Sequence, residues 1–542
     1  MGSQEVTFED KLKRFLYTNN YHGVYITGNP EKHFCKLADS LLFQWMRVAP
    51  ESFISILTAA NDDPLLVRRA NLFYIMAEAL QEDLDATVKA SIKETVFKLL
   101  KSDEEFFDFV KYFTIKRTPK QKISTCLKKM ILKFYHAKQP LEFARTVTKQ
   151  ESHHGWSHKD LIKLCHLKGE NVSSEYIIKY VLFGVKELPE RNVPATLETT
   201  IDLLRKAHLL RTTEDVKRAV ELVKELHANI DQVNSKLNRN EEVWSTIVAE
   251  MTTREVLQCL YKFYKLGFLK SGSQFQGIVI EALTNADKIK KCNLHPVEVF
   301  IYLKFFEKGG KTVDPKLLEY LQKHEVREDT LKRLTTPSEP KCKAIVQNVN
   351  KCLKLSYNNV QPTGKRFMVT VDVTDKTDVH CFHNKRISCL EATHAIIRYL
   401  SRVEKNVTVA VFKDNQINFV DLSKSHTAIE KLKEHKAAYI VPSAPIEWAK
   451  NKKKQIDVFI NFMSCNWFSH VPQEVREKME KLPDVLSKYS KKMKAPETKL
   501  VKIFFGGTSA AVSDGSRNIL TIAGLSVDVP RVLEAFCRGH FC

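Results

Sequence analysis

Pro362-Thr363-Gly364-Lys365-Arg366-Phe367-Met368-Val369-Thr370-Val371-Asp372-Val373 is the stretch on which the reading of this 542-residue chain turns. Before it, from about residue 34 to 335, apolar residues recur mainly at helical spacing. After it they come in short β-branched and aromatic runs. Residues 367–373 (FMVTVDV), 407–412 (VTVAVF), 457–463 (DVFINFM) and 500–505 (LVKIFF) read as strands, because a parallel strand covered on both faces is almost continuously apolar. Between them lie helical stretches, notably residues 388–404, with Leu390, Ala392, Ile396, Ile397 and Leu400 as the apolar set. Strands and helices that alternate in this way predict a doubly wound parallel sheet. The join falls at residues 358–365, which contain Pro362 and Gly364, and divides the chain into residues 1–360 and 361–542.

Working outward, residues 211–230 illustrate the helical half. Thr212 and Thr213 can cap, Asp215 suits a first turn, and Val216, Ala219, Val220 and Val223 form one stripe. No fixed-period repeat is visible, so the expectation is an irregular array of helix pairs rather than a regular solenoid.

Lysine and arginine number 85 against 64 aspartate and glutamate, a net charge of +21. The surplus is concentrated: residues 111–168 hold 14 basic and 3 acidic side chains. A patch of that kind points to a polyanionic partner. With 43% hydrophobic residues the chain is not of the disordered class. It lacks the run of ~18 apolar residues that a membrane helix needs, and Glu5, Glu9 and Asp10 stand where a signal peptide would be basic and apolar, so an intracellular protein is expected. The 12 cysteines form no Cys-x-x-Cys pair, and neither a zinc ribbon nor a disulfide framework is expected.

Within the basic patch stand Lys116, Arg117, Lys120, Lys122, Lys128, Lys129, Lys133, Lys149, Lys159, Lys163 and Lys168, together with Phe134, Tyr135 and Trp156. Cations hold phosphates with release of counterions, and aromatic faces stack unpaired bases, so the mixture suits single strands or RNA ends. A solvated helical face over a core of aromatics is the competing reading. His153, His154, His158 and His166 have metal-ligand chemistry, but no carboxylate or cysteine joins them at site spacing. His380, Cys381, His383, Cys389 and His394 raise the same question and read more simply as ordinary loop and helix residues.

Asp372-Val373-Thr374-Asp375-Lys376 follows the first strand of the sheet, where open α/β sheets bind ligands. It resembles the Asp-x-Ser-x-Ser adhesion site of von Willebrand factor A domains, which holds Mg²⁺ through carboxylate and hydroxyl oxygens. Thr374 can serve as the first serine. Lys376 cannot serve as the second, and Ser464-Cys465-Asn466 stands where another acid is expected. A degenerate site with Asp372 and Thr374 remaining, and no Mg²⁺ or other cofactor, is the expectation. Neither P-loop, Gly-x-Ser-x-Gly nor His-Glu-x-x-His occurs, so no enzyme is predicted.

Residues 155–168 (GWSHKDLIKLCHLK), His295-Pro296 and residues 362–367 leading into Val371-Asp372-Val373 together resemble the Ro (SS-A) ribonucleoprotein autoantigen family. That resemblance implies a ring of HEAT-like helical repeats, the TROVE module, closed by a von Willebrand factor A domain. It also implies binding of small noncoding Y RNAs on the outer surface and of the single-stranded 3′ ends of misfolded RNAs through the hole, in RNA quality control without enzymatic activity. RNA-processing nucleases as partners, a monomeric state, and a cytoplasmic and nuclear location go with it. By motif position, Lys149, Lys159, Lys163 and His166 match RNA-facing residues, Lys128 and Lys129 match an Arg-Lys pair, and His153 stands where the family commonly has arginine. A protein-interaction scaffold without RNA function, or a component of a telomerase or vault-type particle, are the alternatives.

Overall fold

The computed structural model describes residues 6–28, 40–116, 123–149, 152–189, 193–309, 320–321, 331, 340, 342–374, 379–420, 431–432 and 434–542. Helices occupy most of the chain up to Ser356, and neighbours along the sequence pack on one another. The stripe expected in residues 211–230 lies on one helix, Val216–Leu226, with Ala219 and Val223 buried and Val216 and Val220 packed beside them; its cap is Asp215 rather than Thr212, which ends the helix Ala195–Thr212. The break follows from Asp215, whose carboxylate takes the Lys217 and Arg218 N–H groups and starts a new helix.

Among the described residues the sheet has seven strands in the order Val24–Ile26, Ile519–Ala523, Lys499–Phe504, Val458–Phe462, Arg366–Val371, Asn406–Lys413 and Gln416–Phe419. All pairings are parallel except the last, which is antiparallel. The four strands expected from composition form its centre, while Gln416–Phe419, Ile519–Ala523 and Val24–Ile26 were not legible as strands. The helix Cys389–Val403 begins at Ser388, which exchanges capping bonds with Glu391. Arg366 is clamped by Asp457 through Nε–Oδ2 and Nη2–Oδ1 bonds of 2.9 and 2.7 Å, which ties the strand Arg366–Val371 to the start of Val458–Phe462.

The edge strand Val24–Ile26 comes from the amino-terminal stretch and runs beside Ile519–Ala523. Gly524 has φ 80, and a Cβ there would overlap Thr27 Oγ1, so this close approach requires glycine. Nearby, buried Arg14 donates to Ser516 O at 2.7 Å and to Cys542 O, and burial pulls its pKa down to about 10. Asp63, just after the helix Pro50–Asp62, accepts from Tyr17 and lies 2.6 Å from His540 Nδ1.

The far end of the helical run docks on the same domain. His295 caps the helix Pro296–Glu307 through Nδ1, and its ring lies edge-on to Tyr399 at 4.5 Å. Glu298, on that helix, accepts from Arg254 at 2.6 Å and faces Arg531 at 3.4 Å. Lys308 bonds Glu391 at 2.9 Å. Both ends of the helical run therefore meet on the sheet domain, which closes the run on itself. No helix among the described residues is long and apolar enough to cross a membrane.

Candidate nucleic-acid interface

The helix Thr125–His136 starts on Ser124, whose hydroxyl accepts the Leu127 N–H. Leu127, Met130, Ile131, Phe134 and Tyr135 form its buried face, at the spacing of one side of an α-helix. Lys128 is left half-buried, and Lys129 and Lys133 are exposed. Phe134, 5% exposed, stacks on Phe106 at 4.0 Å, and the Tyr135 hydroxyl bonds His158 Nδ1 at 2.8 Å inside the core. The stacking role expected for these two rings is thus overturned, because the helix turns them into the protein. Trp156 alone of the three aromatics remains half-exposed.

Pro140–Lys149 ends on exposed Lys149, 3.9 Å from Glu104. A short hairpin follows, Ser152–His153 paired antiparallel with Trp156–Ser157. His154 and Gly155 both have positive φ, 52 and 82, as a two-residue type I′ turn demands. Ser157 then caps the helix His158–Cys165 in a reciprocal bond pair with Asp160. Leu161 and Ile162 are buried, whereas Lys159, Lys163 and the C-cap residue His166 are exposed. Their spacing of four and three residues sets them on one side of the helix. His166 has φ 50, and its N–H bonds the carbonyls of Ile162 and Lys163.

This helix packs against Thr125–His136, so the lysines of both belong to adjoining elements. Lys128, Lys129, Lys159, Lys163 and Lys168 have no carboxylate partner among the described residues. A shallow cleft of about 520 Å³, lined by Gly155, Trp156, Asp160, Lys163 and Leu164, opens beside them. It juxtaposes an aromatic surface with a cation, the pair that a base and its phosphate require. Lys116, by contrast, is engaged by buried Glu78. Arg117, Lys120 and Lys122 lie outside the described residues.

The four histidines separate. His158 is 3% exposed and part of the core, and His166 caps a helix, while His153 and His154 converge on Asp108 of the helix Asp103–Thr114. That carboxylate is 45 residues away in sequence, which is why local spacing could not reveal it. In the sheet domain Cys381 is buried beside Cys389, and burial, followed by that neighbour, pushes its thiol well up.

At the resemblant adhesion site Asp372 is 1% exposed. Its Oδ1 accepts the Thr374 N–H and its Oδ2 the Ser464 N–H, each at 2.9 Å. Both oxygens thus hold loop backbone. The neighbouring cavity of about 380 Å³ is lined by groups such as Val371, Cys389, Phe462, Cys465 and Phe505. Mg²⁺ takes an octahedral shell of oxygens. Among the described residues the side-chain oxygens here are those of Thr374, Thr393, Ser464 and Asn466 and of an Asp372 already engaged by two N–H groups. Asp375 and Lys376 lie outside the described residues.

Residues 366–537 match the family model of the Ro60 vWA domain. Over 409 residues the chain is 22% identical to the RNA-binding protein RO60 of Deinococcus radiodurans, covering 74% of this chain and 69% of that one. The chain is similar to the Ro family. The RNA-binding protein RO60 of Caenorhabditis elegans is 21% identical over 505 residues, 83% of this chain and 72% of that protein. The crystal structure of the Deinococcus radiodurans RO (RSR) protein superposes with a TM-score of 0.78, covering 98% of this chain and all of that one at 17% identity. The Ro fold, a helical run joined to a von Willebrand factor A-type α/β domain, therefore extends over nearly the whole chain. In this chain the His-Pro motif at 295–296 works as a joint between the two parts, a structural role that spacing alone did not disclose.

Proposed function

We propose that this protein is a non-enzymatic RNA-binding ribonucleoprotein component. Its ligands are small noncoding RNAs of the Y type and misfolded RNAs with a free single-stranded 3′ end, and it acts in RNA quality control. The observation that carries the reading is the set of exposed Lys129, Lys159, Lys163 and His166 with half-buried Lys128 on adjoining helices beside the half-exposed Trp156. Exposed lysines without carboxylate partners exchange bound counterions for phosphate at low cost, and a half-exposed indole can stack on one base at a time. The names of both relatives support RNA as the ligand class. Residence in the cytoplasm and nucleus, a monomeric state, and RNA-processing nucleases as partners belong to the same proposal, as does a sheet domain that works without Mg²⁺.

The test compares a structured RNA with and without its single-stranded 3′ tail, alongside a hairpin RNA. Loss of the tail should weaken binding of the first RNA more than any trimming of the hairpin weakens the second, because a duplex can be held by shape and charge on a surface that a single strand does not need. Equal losses for both would sink the idea of separate sites. Recovery from extract of RNAs merely in proportion to their abundance would favour a scaffold without RNA function.

A further inference from the structure

We propose that Asp108, His153 and His154 form a binding site for one divalent transition-metal ion of the zinc class, at the hairpin that lies between Lys149 and Lys159 in the chain. The helix Asp103–Thr114 supplies the carboxylate and the hairpin both imidazoles. His154 Nε2 lies 2.6 Å and His153 Nε2 3.9 Å from the same Asp108 Oδ1, and one ligand atom from each of the three residues lies within 4.8 Å of the other two. Zinc–ligand bonds of about 2.0–2.2 Å in a tetrahedron hold ligand atoms roughly 3.4 Å apart. The present separations bracket that value, so small side-chain rotations close the site. The left-handed backbone at His154 belongs to the turn that carries both rings to one carboxylate.

Chemistry selects the ion. Two imidazoles with one carboxylate suit zinc, cobalt(II) or nickel(II), whereas Mg²⁺ and Ca²⁺ want oxygens. The side chains of Asp108, His153 and His154 are 17, 28 and 33% exposed, so the ligands are held by packing yet an ion can enter and keep a water. Phe107 sits edge-on to His153 at 6.5 Å and limits its swing. One group opposes binding: Lys111 Nζ lies 3.4 Å from His154 Nδ1. With the metal on Nε2, Nδ1 carries the proton and can no longer accept from an ammonium, so Lys111 must turn away.

Titrating the full, RNA-free protein with cobalt(II), read by its visible d–d absorption and by calorimetry, tests the site without reference to RNA binding. One equivalent should bind with nitrogen–oxygen rather than thiolate spectra. Asp108→Asn and His153→Ala should each weaken it at least about tenfold, with unchanged melting temperature for the metal-free His153→Ala protein, and Lys111→Met should tighten it. The proposal is overturned by absence of saturable binding, by equal affinity in the unaltered protein and His153→Ala, or by a cobalt–thiolate charge-transfer band that survives both substitutions and so places the ion on cysteines.

Discussion

The lysine-bearing helices and the ligand face of the sheet domain handle charge in opposite ways. On the helices, cations stand outside a core of Leu127, Ile131, Phe134, Leu161 and Ile162, and Lys128, Lys129, Lys159 and Lys163 have no internal partner among the described residues. On the sheet, buried Asp372 spends both oxygens on its own loops beside a cavity of mostly apolar and sulfur groups. Charge left unpaired and exposed is available to a ligand. Charge that is buried and saturated is architecture. The difference teaches that a motif's chemistry is decided by what the backbone around it already uses.

Replacing Lys128, Lys129, Lys149 and Lys163 together by glutamine would break the comparison most severely. Each lost phosphate contact should flatten the log–log salt dependence of single-strand binding by about 0.7 unit, which for four contacts means an affinity loss of up to several hundredfold at 0.1 M salt. A slope unchanged in filter-binding or fluorescence titrations would show that this face is not the site.

Asp372→Ala should be next in size. It strands the Thr374 and Ser464 N–H groups, each at a cost of about 1–3 kcal/mol, with RNA affinity unaffected. In the unaltered protein Mg²⁺ or EDTA should leave the melting temperature where it is, since an ion bound to the folded state would raise it by mass action. A Mg²⁺-dependent rise would restore a functional adhesion site and erase the contrast between the two faces.

His166→Asn should lower RNA affinity by less than about tenfold while stability changes by no more than about 0.5 kcal/mol, because asparagine tolerates the left-handed backbone at φ 50 that serine would strain. A large fall in melting temperature with normal RNA binding would reassign His166 to architecture.

The smallest effect concerns the seam between the two regions. Burial raises the Asp63 carboxyl, but hydrogen bonds from His540, Tyr17 and the Leu65 N–H outweigh it and hold the group below its ordinary 3.8. Stability from this contact is thus present above that value and is lost as pH falls through the lower folded value. Asp63→Asn should remove this component, so urea midpoints of the unaltered protein and the variant should converge as pH falls below the ordinary carboxyl value of 3.8. Parallel curves throughout would exclude Asp63 as the group involved.

Much of the site was legible because lysine at helical spacing around an apolar stripe is both a folding signal and a statement about which atoms face water. Lys129, Lys159, Lys163 and His166 are exposed for that reason. Phe134 and Tyr135 were misread because stacking chemistry is the same for a core ring and a surface ring, and only the helix register against Phe106 and His158 distinguishes them. Asp108 was missed because its partners lie 45 residues away.

By itself the sequence determined the change of period near residue 360, the four central strands, the concentration of cations in one segment and the loss of the adhesion motif's oxygens. Those are local properties, carried by side-chain shape and spacing. Tertiary structure alone decided that Val24–Ile26 is the outermost strand of a sheet completed some 500 residues later, that Arg14, Asp63 and Tyr25 bind the two parts of the chain together, and that Asp108 meets His153 and His154. Three apolar residues carry too little periodicity to announce a strand. An edge strand draws its stability from the neighbour that accepts its hydrogen bonds, and that neighbour exists only once the chain has folded.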